Sequence, residues 1–285
     1  MKTLVFSDVH LKITPDAQKN LHDFTAFLQN VDPQRYNRIV ILGDLFDFWF
    51  EYRHVIFSDY FEVLRALAQL RDAGIELHLV CGNHDFWAGR FLETHLSLVI
   101  HRGPYLCEGG GRRVLFVHGD GVNPRDYGYR IYKGIARSRL AVWLFGKLHP
   151  DRAMSIAQLI SWGSRALFKV EDPSKGRQVV PVRNFARRTL ENGEVDIVVC
   201  GHSHYPIVEE FQTAGGARHY INSGDWLNHR TYVDWDAHEF DVKVYDAEAW
   251  RLRNEGTLLH QVKNVTLPVV LPNNVPEHES GRAAE

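Results

Sequence analysis

The chain has 285 residues and a mass of 32.9 kDa, which suits one large domain or two small ones. With 45% hydrophobic and 24% charged residues it is neither a disordered, a collagen-like nor a coiled-coil protein. No run of 18 apolar residues predicts a membrane-spanning helix. Three cysteines indicate a reducing compartment, and an N-terminus that runs directly into a strand carrying Asp8 and His10 predicts a cytoplasmic protein without a cleaved leader.

Strands and helices alternate through the first 85 residues. Apolar runs predict strands at 2–7, 38–42 and 75–81, and apolar residues at helical spacing predict helices at 16–31 and 57–73. This alternation is typical of βαβ units around a largely parallel sheet, which makes the fold class α/β.

The second half of the chain predicts a different organisation. Strands are expected at 113–117 and 195–200, and antiparallel strands over 206–245. Between them lies a basic segment with helical periodicity, 125–191, which we interpret as a helical insertion. We therefore expect one domain over 1–265, followed by a flexible tail over 266–285.

Charge is distributed unevenly along the chain. Residues 123–190 contain 14 basic and 4 acidic side chains, whereas the rest of the chain contains 19 basic and 31 acidic ones. A basic block in an otherwise acidic protein indicates a surface that faces an anionic partner. Nucleic acid is not the expected partner, because no nucleic-acid-binding motif is present.

Side chains that commonly bind metals follow five of the predicted strands: Asp8 and His10, Asp44, Asn83 and His84, His118, and His202 and His204. Because ligands of open α/β sheets lie outside the carboxyl ends of the strands, we expect these side chains to converge. Imidazole, carboxylate and amide groups without cysteine suit Mn²⁺, Fe²⁺, Zn²⁺ or Co²⁺. The set is too large for one tetrahedral ion, and it suits two ions about 3.5–4 Å apart that activate water beside a phosphoryl group.

Five motifs, in this order, resemble those of the calcineurin-like metallophosphoesterases: Asp8-x-His10, Gly43-Asp44, Gly82-Asn83-His84-Asp85, His118-Gly119-Asp120 and Gly201-His202-x-His204. The resemblance implies a four-layer α/β/β/α sandwich with a helical insertion and a site for two divalent ions, Mn²⁺ being the ion we expect first. It assigns Asp8, His10 and His204 to one ion, Asn83, His118 and His202 to the other, and Asp44 as the bridge. Catalysis would then depend on His84, which contacts the reacting phosphate, together with Asp44 and Asn83.

A narrower resemblance is to the UDP-2,3-diacylglucosamine diphosphatases of lipid A biosynthesis. It rests on GDLFDFW at 43–49, HGDG at 118–121 followed by DYGY at 126–129, and NSGDW at 222–226. It implies hydrolysis of the pyrophosphate of a UDP-linked, acylated glucosamine lipid to UMP and 2,3-diacylglucosamine 1-phosphate, at the cytoplasmic face of the inner membrane. The substrate-binding residues implied are Asn83, His84, Asp126, Tyr129, Ser164, Arg165 and His202.

Three points stay open at this level. Some members of the narrower family carry arginine where this chain has His84, so a general soluble phosphoesterase is the alternative function. The basic insertion either contacts an anionic membrane or acyl chains, or packs on the core with its arginines in solvent. Asp85 and Asp120 either orient a histidine ring or serve turns and helix caps, and for Asp47 the purely structural role is favoured. The sequence does not indicate an oligomeric state.

Overall fold

The computed structural model describes residues 2–14, 17–166, 178–236 and 238–261, and within these the side chains of 160–166 are left out. The strands are β1 Lys2–Phe6, β2 Tyr36–Ile41, β3 Glu76–Val80, β4 Val99–His101, β5 Tyr105–Gly109, β6 Arg112–Val117, β7 Ile197–Cys200, β8 Ile207–Thr213, β9 Gly216–Asn222, β10 Thr231–Trp235, β11 Phe240–Val244 and β12 Thr257–Leu258. The helices are α1 Gln18–Gln29, α2 Phe61–Asp72, α3 Arg90–Leu96, α4 Tyr127–Ala136, α5 Arg139–Phe145, α6 Pro150–Ala166, α7 Val179–Glu191 and α8 Ala247–Arg253.

The first sheet has seven strands in the order β12-β11-β10-β1-β2-β3-β4. Its β1 to β4 portion is parallel, as the alternating pattern of the sequence predicts. Strands β10, β11 and β12 extend it on the other side of β1 in antiparallel pairing. The carboxyl ends of β1, β2 and β3 therefore meet at one edge.

The second sheet has five strands in the order β5-β6-β7-β9-β8. Strands β6, β7 and β9 are parallel to one another, and β5 and β8 pair antiparallel at the two edges. The chain then crosses from β9 in this sheet to β10 in the first sheet. The residues of that crossing, 223–230, thus lie between the two sheets.

Three groups of buried side chains hold these elements together. Leu21, Phe24 and Leu28 of α1 pack with α2 and the outer face of the first sheet. Strand residues such as Val5 and Phe116 fill the space between the sheets. Helix α7 covers the outer face of the second sheet. The predicted fold class is confirmed: the protein is α/β, with two sheets flanked by helices.

The basic segment 125–191 contains two kinds of helix. Helix α7 is part of the core, because Val179, Val182, Ala186 and Leu190 are buried against β7, β8 and β9. Helices α4 and α5 instead leave large apolar side chains in solvent. In the part of the chain that the structure describes, none of the helices has the length and apolarity that crossing a bilayer requires. The predicted tail, 266–285, lies outside the described residues.

Candidate metal centre

The predicted ligands lie on the loops that follow β1, β2, β3, β6 and β7, at the edge where the two sheets meet. Asp8, His10, Asp44, His202 and His204 all have positive φ angles, between 46° and 64°. Residues other than glycine rarely adopt this left-handed backbone, although Asp and His do so more readily than most, and such residues cluster at functional sites. The loops thus give up some stability to aim these side chains inward.

Hydrogen bonds join the ligand-bearing loops to one another, both across the two sheets and within the first sheet. The backbone N–H of His202, after β7, donates to Oδ2 of Asp8 at 2.8 Å. The backbone N–H of His84, after β3, donates to Oδ1 of Asp44 at 2.9 Å. Each of the two carboxylates therefore has one oxygen that fixes a neighbouring loop and a second oxygen that faces the centre.

Two glycines permit this close approach. A Cβ atom added to Gly82 would lie 2.1 Å from Oδ1 of Asp44, and one added to Gly201 would lie 2.7 Å from Oδ2 of Asp8. These distances are far inside van der Waals contact, so a side chain at either position would displace a carboxylate.

The first group of converging side chains is Asp8, His10 and His204, whose ligand atoms lie within 4.8 Å of one another. Nε2 of His204 is 3.5 Å from Oδ1 of Asp8 and 3.3 Å from Nε2 of His10. Oδ1 of Asp8 is buried and has no hydrogen-bond partner among the described residues. A buried carboxylate oxygen facing two imidazoles fits a bound divalent cation, which would satisfy all three groups at once.

The second group is Asp44, His118 and His202, whose ligand atoms also lie within 4.8 Å of one another. Nε2 of His118 is 3.4 Å from Oδ2 of Asp44 and 3.2 Å from Oδ1 of Asn83. Oδ2 of Asp44 also lies 3.7 Å from Nε2 of His10, in the first group. Asp44 therefore stands between the two groups, where a bridging carboxylate would stand.

Burial and neighbouring charges shift the pKa values of the side chains at the centre. Burial would raise the pKa of the Asp44 carboxyl, but the charges of His118 and His84 outweigh it and hold that pKa well below its usual range. Burial, with the nearby His118, lowers the pKa of His202 to about 4. Metal binding requires ionised carboxylates and neutral imidazoles, which suits Asp44 and His202. Burial would lower the pKa of His118, but the Asp44 carboxylate raises it well above its usual value, so an ion bound there would displace a proton.

Outer hydrogen bonds turn two of the imidazole rings so that their Nε2 atoms face the centre, and a carboxylate lies close to a third ring. Nδ1 of His118 donates to the Leu42 carbonyl at 2.6 Å, and Nδ1 of His204 donates to Oδ2 of Asp225 at 3.2 Å. Nδ1 of His10 is 3.4 Å from Oδ1 of Asp47. Such contacts fix the tautomer and orientation of metal-binding histidines.

Asp225 is the functional residue that our sequence reasoning missed. It is fully buried in the crossing between the sheets, and it accepts hydrogen bonds from His229 and Asn228 as well as from His204. The available signal was its place in the NSGDW motif, within the range 206–245 for which strands are predicted. Asp47, for which a purely structural role was favoured, also lies against a predicted ligand.

Neither Asp85 nor Asp120 accepts a hydrogen bond from a histidine ring in the contacts that the structure gives. Asp85 accepts the backbone N–H groups of Gly82 at 2.7 Å and Leu45 at 3.0 Å, so it ties two ligand loops together. Burial, with the charge of Asp44, raises its pKa to about 6. Asp120 is bound instead by side chains of α4.

His84 lies at the rim of the centre. Its Nδ1 donates to the backbone carbonyl of Asp47 at 2.7 Å, and its Nε2 lies 4.0 Å from Oδ2 of Asp44. The carbonyl fixes the proton on Nδ1, so Nε2 is the atom directed at the space between the two groups. Its position is suited to contact a bound phosphate.

The residues predicted to hold substrate are more dispersed. Asp126 caps α4 by accepting the backbone N–H of Tyr129, and the Tyr129 hydroxyl donates to Oδ2 of Asp120 at 2.7 Å. These two residues therefore lie beside the HGD loop. Ser164 and Arg165 lie near the end of α6, and their side chains are outside the described part of the structure.

The sequence model of the family described as calcineurin-like phosphoesterase matches residues 1–206. The chain belongs to this family and is a hydrolase, and the two groups of side chains described above suit the divalent metals that the family implies.

Among curated proteins, the chain is 30% identical to the UDP-2,3-diacylglucosamine hydrolase of Aeromonas hydrophila, over 80% of this chain and 91% of that protein. It is 28% identical to the protein of the same name from Porphyromonas gingivalis, over 70% of this chain and 79% of that protein. Among solved structures, the E. coli phosphoesterase Yfce aligns with a TM-score of 0.39 and 17% identity, over 87% of this chain and 93% of that one.

Proposed function

We propose that this protein hydrolyses the pyrophosphate of UDP-2,3-diacylglucosamine, giving UMP and 2,3-diacylglucosamine 1-phosphate, with two divalent ions bound at the centre. The observation that carries the proposal is an exposed apolar surface on α4 and α5, attached directly beside the predicted phosphate-binding loop. The names of the similar curated proteins support the same substrate. A lipid-linked diphosphate needs a phosphate site and an apolar surface next to each other.

Two helices of the insertion are attached close to His84. The ring of Phe145, at the end of α5, packs on Phe48 at 5.5 Å and on Trp87 at 4.8 Å between centroids. The indole N–H of Trp87 donates to the carbonyl of Ala136, the last residue of α4, at 3.1 Å. Since Trp87 follows His84 by three residues, the inner faces of both helices lie against the predicted site.

The outer surface of these helices is apolar. Five of its side chains are 53–65% exposed: Ile131, Ile135, Leu140, Trp143 and Leu144. We call this set the apolar surface of the insertion. Large apolar groups that cluster in solvent mark a binding site for a lipid or another apolar partner. We propose that the acyl chains of the substrate bind here, and that the surrounding basic side chains contact the anionic cytoplasmic face of the inner membrane.

The chemical roles follow from the positions of the side chains. When bound, the two ions, for which we propose Mn²⁺, supply an activated water and neutralise charge on the phosphoryl group. Asp44 holds the two halves of the centre at a fixed separation. In its imidazolium form, with the Nδ1–H held by the Asp47 carbonyl, His84 donates the Nε2–H hydrogen bond to the reacting phosphate and delivers that proton to the leaving oxygen. Asp225 orients the ring of His204, and Asp47 orients the ring of His10.

The test uses the purified protein loaded with Mn²⁺ and UDP-2,3-diacylglucosamine in detergent micelles. We expect UMP and the lipid 1-phosphate in equal amounts by mass spectrometry, and no product after treatment with a chelator. Rapid turnover of soluble phosphodiesters with the lipid left intact would contradict the proposal.

A general phosphoesterase is the second candidate, favoured by His84, which can donate a proton to many different leaving groups. A panel of dinucleotides, cyclic nucleotides and phosphoproteins distinguishes the two. Under the second candidate a member of that panel is the better substrate, and removing the apolar surface of the insertion leaves its turnover unchanged.

A further inference from the structure

One face of α4 is turned toward the loops of the metal centre. Tyr129, Lys133 and Arg137 are spaced four residues apart, so they lie on that same face. All three approach a single carboxylate, that of Asp120. The Lys133 ammonium lies 2.6 Å from Oδ2 of Asp120, and the Tyr129 hydroxyl donates to the same oxygen at 2.7 Å.

Arg137 is the outermost of these partners. Its Nη2 is 3.7 Å from Oδ2 of Asp120, beyond hydrogen-bond distance, because that oxygen already has two closer donors. One carboxylate thus faces two cations. Lys133 is the closer partner of Asp120, and the group formed by Lys133, Arg137 and Asp120 carries one excess positive charge.

The guanidinium of Arg137 instead contacts both flanks of the loop that carries Asn83 and His84. Nη2 donates to the carbonyl of Gly82 at 3.3 Å, and the guanidinium carbon lies 5.3 Å from the ring centre of Phe86. The backbone of Gly82 also packs so closely on the Asp44 carboxylate that a Cβ there would collide with it. Arg137 therefore stands one residue away from the side chains predicted to contact phosphate.

Part of the hydrogen-bonding capacity of Arg137 is unused. Its Nε is buried and has no partner in the described ranges of the chain. A buried donor without a partner carries a free-energy cost that a bound acceptor removes. The guanidinium group presents its N–H groups as a fork that matches two oxygens of a phosphate.

We propose that Arg137 binds the second phosphate of a diphosphate substrate, the one next to the phosphate that reacts, and so selects diphosphates over single phosphodiesters. The proposal rests on the proposed function, since it assumes that the reacting phosphate binds between the two groups of metal ligands. It adds a specificity-determining residue that comes from the insertion and not from the strand-end loops.

Calorimetry on the Mn²⁺-loaded protein tests the proposal with two small probes, methylenediphosphonate and inorganic phosphate. We expect the wild type to bind the diphosphonate more tightly than phosphate. In Arg137→Met the affinity for the diphosphonate falls at least tenfold and that for phosphate stays within twofold. Arg137→Lys, which keeps the charge but not the fork, lies between the two. Arg130→Met is the matched control, because Arg130 is on the same helix and is exposed, and it should bind both probes as the wild type does.

The proposal is overturned if the wild type does not prefer the diphosphonate, if Arg137→Met weakens both probes equally, or if it weakens neither. Neither probe contains uridine or acyl chains. Failure of the protein to hydrolyse the UDP-lipid would therefore count against the proposed function and leave this result standing.

Discussion

The close approach of the Gly82 backbone to the Asp44 carboxylate fixes the position of that predicted ligand. Gly82→Ala places a methyl group against Oδ1 of Asp44, which must move out of its position between the two groups. We expect this variant to lose bound metal and at least 10²-fold in kcat, because misplaced ligands act on the reaction steeply. Elemental analysis of protein prepared without chelators measures the metal.

Gly103→Ala is the control for this substitution. A Cβ at Gly103 meets nothing within 4 Å, so we expect metal content and activity to remain those of the wild type. Full metal occupancy in Gly82→Ala would show that Asp44 is not held where a bridging ligand must be.

Replacing His84 should have a different effect from replacing a metal ligand, because it should slow the reaction without releasing metal. Because His84 faces the centre from its rim, His84→Ala should keep both metals and lose on the order of 10²-fold in turnover, the usual contribution of a positioned acid. Metal content and kcat are measured on the same preparation. A variant that binds both metals and retains the full rate would remove His84 from the reaction.

At the level of helices, the proposed binding of acyl chains by the apolar surface of the insertion can be tested separately from the metal centre. Replacing Leu140 and Leu144 of α5 with serine removes apolar area that acyl chains would cover. Since burying one leucine side chain contributes about 1.5–3 kcal/mol, we expect kcat/KM for the lipid substrate to fall by roughly tenfold or more. Turnover of a small chromogenic phosphodiester should not change.

The control for α5 is Leu252→Ser on α8, an equally exposed leucine on a helix outside the insertion. It should leave both activities intact. Equal losses on the lipid and on the small diester in the α5 variant would mean that the helix supports the fold and not the substrate.

The sequence indicated β1, β2 and β3 of the first sheet individually, because buried parallel strands are continuous apolar runs. The predicted strands at 38–42 and 75–81 correspond to β2 and β3 within two residues. The role of α7 was not visible, since its basic residues resemble those of α4 while its buried valines and leucine face the second sheet. A charge count does not distinguish a solvated arginine on a core helix from one on an exposed helix.

The sequence also identified most of the side chains that converge at the centre, but not the outer contacts that orient them. Motifs identified the residues that follow the strands, and the structure brings Asp8, His10, Asp44, His118 and His204 together. Their assigned roles as ligands stay predictions. Contacts such as that of Asp225 with His204 depend on how the chain crosses between sheets, which local sequence does not encode.

The stability of the whole chain depends on pH through a histidine outside the metal centre. His78, on β3, stacks with His101 and Tyr105, and burial, together with the charges of Arg38 and His101, lowers its pKa to about 4. The unfolded chain therefore takes up a proton near pH 6.5 that the folded chain resists, so the free energy of unfolding falls as pH drops from about 6.5 to about 4. After discounting for solvent screening, we expect His78 to account for about 2 kcal/mol of this loss.

Denaturant unfolding of the metal-free protein at pH 7 and pH 4 measures the effect. His78→Gln should lose about 2 kcal/mol less than the wild type between these pH values, and His22→Gln, on the exposed side of α1, should match the wild type. Identical pH dependence in all three proteins would exclude His78 as the cause.

The two sheets contribute different members of each group of predicted ligands: Asp8 and His10 follow β1, whereas His204 follows β7. A cation bound by all three is a cross-link between halves of the fold that are far apart in sequence. At a hundred times its dissociation constant, such an ion would add about 2.7 kcal/mol to the stability of the native state, or roughly 5–10 °C in Tm. In a cell starved of divalent ions, newly made copies would then be more readily degraded by proteases, so the supply of metal would set the amount of this protein as well as its rate of turnover.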